Sequence, residues 1–165
     1  MSGNSSDILR FLPLGLDVRG RRCLVVGGGR VGTRKVKTLL RSGAEVTVVS
    51  PAVTEDLAER IDTGQLRWVM DSFHSGQLDG VFFVVAATDD KTVNASVVQH
   101  ARQRGALVCD ASSPERSQVI FGALLQTDDA TVAVFTDGRD PAHARRTRDR
   151  IARLVDAERE PNDSA

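Results

Sequence analysis

Short apolar runs rich in β-branched residues recur along the first part of the chain, at Cys23–Val26, Glu45–Ser50, Leu66–Met70, Val81–Val85 and Leu107–Cys109. Most are continuous rather than alternating, as in strands buried on both faces of a parallel sheet. Between them apolar residues recur at helical spacing. Gly32, Val36, Leu39 and Leu40 form one stripe, ended by Gly43. Leu57, Ala58 and Ile61 form a second, opened by Thr54 as N-cap and closed by Gly64. Val93, Val97 and Ala101 form a third, stopped by Gly105. Asp71–Gly80 reads as a polar loop with a solvated His74, and Phe11–Val18 as an extended segment in which Pro13 favours a sheet edge.

The pattern changes after Pro114. Val119–Leu125 and Thr131–Phe135 flank Thr127-Asp128-Asp129-Ala130, the signature of an antiparallel hairpin. Asp140 then caps a helix with Pro141 in its first position. That helix is expected to bury Ala144, Ile151, Leu154 and Val155, and to show Arg145, Arg146, Arg148, Arg150 and Arg153 on its other faces.

Strands alternating with helices predict an α/β fold: a Rossmann-like, doubly wound parallel sheet with right-handed crossovers, followed by a small β-hairpin and a helix. The boundaries are residues 8–113 for the nucleotide-binding domain and 114–158 for a dimerisation and substrate region. The polar ends, 1–7 and 159–165, are expected to be disordered.

The stretch Val26–Lys35, VGGGRVGTRK, organises this layout. Gly27, Gly29 and Gly32 stand in G-x-G-x-x-G spacing between a strand and a helix, the context a dinucleotide site requires. Gly27 permits the tight turn, Gly29 lets a pyrophosphate approach the backbone, and Gly32 lets helix and strand pack closely. Gly28, Arg30 and Val31 complete the loop, whose free N–H groups and helix dipole favour an anion. In a doubly wound sheet the ligand lies outside the carboxyl ends of the strands where their order reverses. This adds Ala86, Ala87, Thr88 and Asp89 after the fourth strand and Asp110–Ser113 after the fifth. An acid usually reads the ribose 2′-hydroxyl after the second strand. Here Ser50, Pro51 and Ala52 occupy that place, while Arg30 or Arg34 suits a 2′-phosphate, so the residues alone leave NAD against NADP open.

Charge narrows the partners. Lys plus Arg total 22 and Asp plus Glu total 22, so no net field recruits nucleic acid or a membrane. An N-terminus without an apolar core and the lack of a long apolar run predict a cytoplasmic protein. Cys23 and Cys109 fall on strand positions and read as buried thiols rather than a disulfide or a metal site. No His/Cys spacing suits a metal. With no base visibly paired to a serine, hydrolysis is unsupported, whereas hydride transfer asks mainly for orientation. The arginine helix reads first as a solvated face, and its approach through Thr136–Pro141 also suits a polycarboxylate ligand.

The segments LPLGLDVRGRRCLVVGGGRVGTRK, AEVTVVSP, VVAATDDKTVN and VAVFTDGRDPAHARRTRDRI together resemble the precorrin-2 dehydrogenase family, which includes the N-terminal module of siroheme synthase. The resemblance implies NAD-dependent oxidation of precorrin-2 to sirohydrochlorin, and in some members insertion of iron. It also implies a homodimer whose second region interleaves between subunits. A tetrapyrrole with eight carboxylate arms would be held by Arg139 and Arg145, with His143 nearby. The family commonly carries a catalytic aspartate two residues before the proline that follows the fifth strand. That position is Ser112, and the nearest acid is Asp110, so these two are the catalytic candidates. Gly32 stands where the family often has alanine, and the chain stops near the arginine helix where many relatives continue. Against the dehydrogenase stand two other readings: a non-catalytic NAD-sensing module, and a dehydrogenase that also inserts metal.

Overall fold

The computed structural model describes residues 10–159. Two compact units divide the chain, one at Leu14–Val119 and one built from Ile120 onward together with the segment ending at Pro13.

The first unit is a five-stranded, fully parallel sheet in the order β3-β2-β1-β4-β5. Its elements are β1 (Arg22–Val26), α1 (Arg30–Arg41), β2 (Glu45–Val49), α2 (Glu55–Asp62), β3 (Arg67–Val69), β4 (Phe83–Ala86), α3 (Lys91–Gln103) and β5 (Leu107–Asp110). The chain winds outward from β1 to β3, returns to pair β4 with β1, and then winds the other way. The order therefore reverses between β1 and β4. Val25, Val48, Val84, Val85 and Val108 are fully buried, which explains why the strand sequences are continuous apolar runs. One side of the sheet joins Leu24, Val26, Val49 and Val84 to Val97, Val98 and Ala101 of α3 in a single core.

Three expectations shift. The fourth strand starts at Phe83 rather than Val81, because Val81 N–H is tied back to Leu78 O at 3.1 Å in the preceding turn. That turn is a short 3-10 helix, Ser75–Leu78, within the stretch expected to be a plain loop. Its apolar Leu78 is 1% exposed and anchors the β3–β4 crossover that elsewhere would carry an α-helix. His74 remains exposed, 3.7 Å from Asp71. The segment around Pro13 joins no sheet, so the expected edge strand is absent among the described residues.

The parallel-sheet unit extends to Val119 rather than to Ser113. After β5 the chain turns through a 3-10 helix at Pro114–Arg116 and comes back, so that Gln118 and Val119 both donate N–H to Val108 O, at 2.9 and 3.1 Å.

The second unit holds β6 (Ala123–Gln126) and β7 (Thr131–Val134), antiparallel, and α4 (Pro141–Arg159). The expected first hairpin strand is thus shorter, with 119–122 outside it. Thr127 closes the turn, donating N–H to Ala130 O at 2.9 Å and accepting Ala130 N–H on its hydroxyl at 3.0 Å. Asp140 Oδ1 accepts His143 N–H at 2.8 Å, as expected of the cap. The apolar face of α4 is less covered than its periodicity predicts. Ala144 is buried, Ile151 and Val155 are half-buried, and Leu154 is 60% exposed. Two strands offer too little surface to cover a helix of this length. Of the ends expected to be disordered, 1–7 and 159–165, all but Arg159 lie outside the described residues, and Arg159 closes α4.

Burial also sets the pH response. Desolvation pushes the Cys23 and Cys109 thiols up to about 11 and the Lys35 ammonium down to about 8. Between pH 8 and 10.5 the unfolded chain keeps a lysine proton that the folded one has shed, so this term raises stability with pH. Between 9.0 and about 11 the folded thiols keep protons that the unfolded ones lose, so these terms lower it. The chain has no tyrosine to add to this range. Denaturant midpoints measured across pH 7.5 to 11 are therefore expected to pass through a maximum near pH 9. Lys35→Met should remove the rising arm and leave the falling one.

Candidate functional site

The glycine loop is held by backbone contacts that leave no room for side chains. Past the end of β1 the ladder continues: Gly27 N–H donates to Val49 O at 2.9 Å and Ala87 N–H to Val26 O at 2.8 Å. Gly27 adopts a left-handed φ of +114°, and a Cβ there would collide with the Ala87 carbonyl. A Cβ on Gly28 would strike the Ala52 carbonyl, and one on Gly32 the Gly27 carbonyl. Thr54 N–H donates to Gly28 O at 3.0 Å, and the Thr33 and Thr54 hydroxyls meet at 2.8 Å. The loops after β1, β2 and β4 thereby form one close-packed rim.

Gly29 is the exception. A Cβ there would meet nothing within 4 Å, so its missing side chain leaves an opening toward solvent. Gly29 is also the N-cap of α1, and it makes no side-chain cap. The first turn, Arg30 and Val31 included, holds no acid, and both residues are exposed. By contrast α2 is capped by Thr54 and α3 by Asp90, whose carboxyl is pulled below its usual range by the N–H groups of Thr92 and Val93. An open backbone cradle at an uncapped, acid-free helix start fits a pyrophosphate.

After β2, Ser50 O accepts the Trp68 indole N–H at 2.9 Å, which fixes the backbone there, and Pro51 and Ala52 are exposed. The Ser50 side chain makes no hydrogen bond among the described residues. After β4, Ala87 is buried, Thr88 half-buried and Asp89 exposed. The small Ala87 leaves the rim low at the switch point.

Sequence reasoning missed the group that ties the rim to β5. Asn94 on α3 is fully buried. Its Oδ1 accepts Thr88 N–H at 3.0 Å, and the Thr88 hydroxyl lies 2.7 Å from the same oxygen. Its Nδ2 donates to Thr88 O at 3.0 Å and to Ser112 Oγ at 3.2 Å. A polar residue on the buried stripe with Val97, Val98 and Ala101 is the signal that would have found it.

Asp110 and Ser112 do come together. Asp110 Oδ1 accepts Ser112 N–H at 2.8 Å and Ser112 Oγ–H at 2.6 Å, and Oδ2 accepts Arg116 Nε–H at 2.7 Å. The Asp110 side chain is wholly buried. Both carboxylate oxygens are therefore engaged, and the serine hydroxyl spends its proton on Asp110 while facing donors from Asn94 and Arg116. Strand alternation would put the two on one side only if the chain stayed extended. But β5 ends at Asp110 and the chain turns, so the two meet through the turn and engage each other rather than standing as a free acid and base. Arg116 itself had no sequence signal, since it stands in an ordinary polar turn.

Arg139, His143 and Arg145 all lie in the second unit and are exposed. Among the described residues no group of three His, Cys, Asp or Glu could hold a metal ion. No helix there is long and apolar enough to cross a membrane.

Because Gly29 faces open space while its neighbours face backbone, the two kinds of substitution should separate binding from folding. Gly29→Val is expected to melt like the wild type and to lose at least tenfold in NAD affinity by calorimetric titration, roughly 1.4 kcal/mol. Gly32→Val, driven onto Gly27 O, should lower the melting temperature first. Unchanged NAD affinity in Gly29→Val would take the pyrophosphate away from this loop.

A family model described as putative NAD(P)-binding matches residues 14–123. Siroheme synthase 1 of Pectobacterium atrosepticum is 40% identical over 149 residues, which are 90% of this chain and 31% of that protein. Siroheme synthase of Photobacterium profundum is 39% identical over 145 residues, 88% of this chain and 31% of that one. This chain thus spans less than a third of the length of those relatives. Among solved structures, SirC, a precorrin-2 dehydrogenase, superposes with a TM-score of 0.77 at 33% identity, covering 87% of this chain and 71% of that one. Agreement over so much of both chains is more than a shared Rossmann sheet would give: the chain belongs to the putative NAD(P)-binding family, in the branch it shares with siroheme synthases and SirC.

Proposed function

We propose that this protein oxidises precorrin-2 to sirohydrochlorin with NAD, as a cytoplasmic homodimer. The likeness to SirC carries this reading, because it covers 87% of this chain, more than the sheet unit at Leu14–Val119 alone. Held on the Gly28–Val31 backbone, NAD would supply the hydride acceptor for the substrate, the accompanying proton leaving to solvent.

The residues supply binding and orientation. In this reading the Gly28–Val31 backbone holds the pyrophosphate, and Ser50 Oγ with the Pro51–Ala52 loop receives the adenosine ribose. Ala87, Thr88 and Asp89 line the nicotinamide side. Arg139 and Arg145, with His143, bind substrate carboxylates. Asp110 and Ser112 shape the β5 side of the crevice through their mutual hydrogen bonds. Holding two reactants in register is a large part of what such a reaction requires, so no strong acid or base is needed.

The same network argues against metal insertion, which needs a group free to take pyrrole protons. Asp110 already accepts three hydrogen bonds, and the Ser112 proton is committed to it. In anaerobic absorbance assays NADH should appear with precorrin-2, and Ser112→Ala should retain activity within about tenfold, the loss expected from one hydrogen bond. Iron or cobalt should enter sirohydrochlorin no faster than without enzyme. If NADH never forms although NAD binds, the NAD-sensing module becomes the better account.

Uncovered surface supports the dimer. Among the described residues this sheet has two strands, so both edges are open, and such a pair is marginal alone. Leu124 is 39% and Leu154 60% exposed in the same unit. Sedimentation equilibrium at micromolar concentration is expected to give twice the chain mass, and Leu154→Glu to shift it toward the monomer. A monomeric wild type would sink this part.

A further inference from the structure

We infer that Arg116 is a substrate-binding residue, a guanidinium fixed at the β5 end of the crevice to receive one carboxylate arm. This rests on the dehydrogenase reading and adds a contact to it.

Arg116 stands at the end of the 3-10 turn that follows β5. Its Nε–H is held by Asp110 Oδ2 at 2.7 Å, and one Nη2–H lies 3.3 Å from Ser112 Oγ. Asp110 is itself immobile: its side chain has no exposure, and its backbone N–H is bound by Ser117 Oγ at 2.8 Å. Ser112 is braced from the other side by Asn94, which also holds Thr88 on the β4 loop. The guanidinium plane is therefore fixed relative to the loop expected to carry the nicotinamide.

The opposite edge of that plane is unused. The side chain is 36% exposed, and Nη1 has no hydrogen-bond partner among the described residues. An arginine offers five N–H donors in a rigid fork, and two of them face protein here. The remaining N–H groups match the two oxygens of a carboxylate. Asp110 cancels much of the long-range field, so recognition comes from directional contact. A substrate with carboxylates around its rim, seated with one carbon at the nicotinamide, needs such a fixed point beside the β4 and β5 ends. Arginines on a separate unit do not supply it within the sheet unit itself.

The probe is uroporphyrin, a stable tetrapyrrole with eight carboxylates, titrated by its fluorescence into the full chain with saturating NAD. Arg116→Gln strips a buried carboxylate of its cation and threatens folding. The paired variant Asp110→Asn/Arg116→Gln removes both charges and keeps the test readable. Both should bind the probe about tenfold more weakly, the effect of one charge-assisted contact, with NAD affinity unchanged. With precorrin-2, KM should rise by about the same factor. Wild-type probe affinity in the paired variant would overturn the inference. So would equal losses of NAD and probe affinity, which mark a purely structural pair, or failure of the wild type to bind the probe. NADH formation by the wild type judges the dehydrogenase reading separately: activity with an unchanged KM in the paired variant removes Arg116 alone.

Discussion

Backbone packed on backbone at the switch point is the constraint on which the rest of this structure depends. Gly27 lies against Ala87, Gly28 against Ala52, and Gly32 against Gly27, each at a distance that excludes a Cβ. These contacts bring the ends of β1, β2 and β4 into one rim, and they set how closely α1 sits on the sheet. Gly29 shares the spacing but not the crowding. Three glycines build the cradle, and the fourth keeps it open.

The parallel core was legible because burial on both faces forces apolar runs, and such runs locate strands well. Val25, Val84 and Val85 illustrate this, as do the stops at Gly43, Gly64 and Gly105. Failures occurred where local signals competed. Val81 and Phe82 read as strand, yet Val81 is claimed by a turn. The segment at Pro13 has strand composition but joins no sheet among the described residues. On α4 the apolar period was read correctly, but periodicity says only that a face exists, not that the same chain covers it. Leu154 shows the difference.

The candidate site divided in the same way. Its cofactor half is backbone chemistry, which glycine spacing reports directly. Its β5 half is a side-chain network assembled from three elements: Asn94 from α3, Asp110 from β5 and Arg116 from the turn beyond. Such a set has no fixed spacing to recognise. Asp110 and Ser112 were found because they flank a strand end, but their engagement with each other depends on Arg116, which composition alone does not single out.

This network also explains how a carboxylate can lie wholly buried at a strand end and remain ordered. Ser112 carries no charge, and Asp110, two residues earlier, places one at full depth. A buried carboxylate is tolerable only when paired and hydrogen-bonded, and Arg116 with Ser112 meets that need. Solvation cost therefore draws the arginine to the strand end and holds it there. The same cost denies Asp110 the freedom a proton-transferring group requires. What the network leaves at the strand end is a fixed cation edge beside a fully engaged acid, which in the proposed reading positions an anionic substrate and does not strip protons from it.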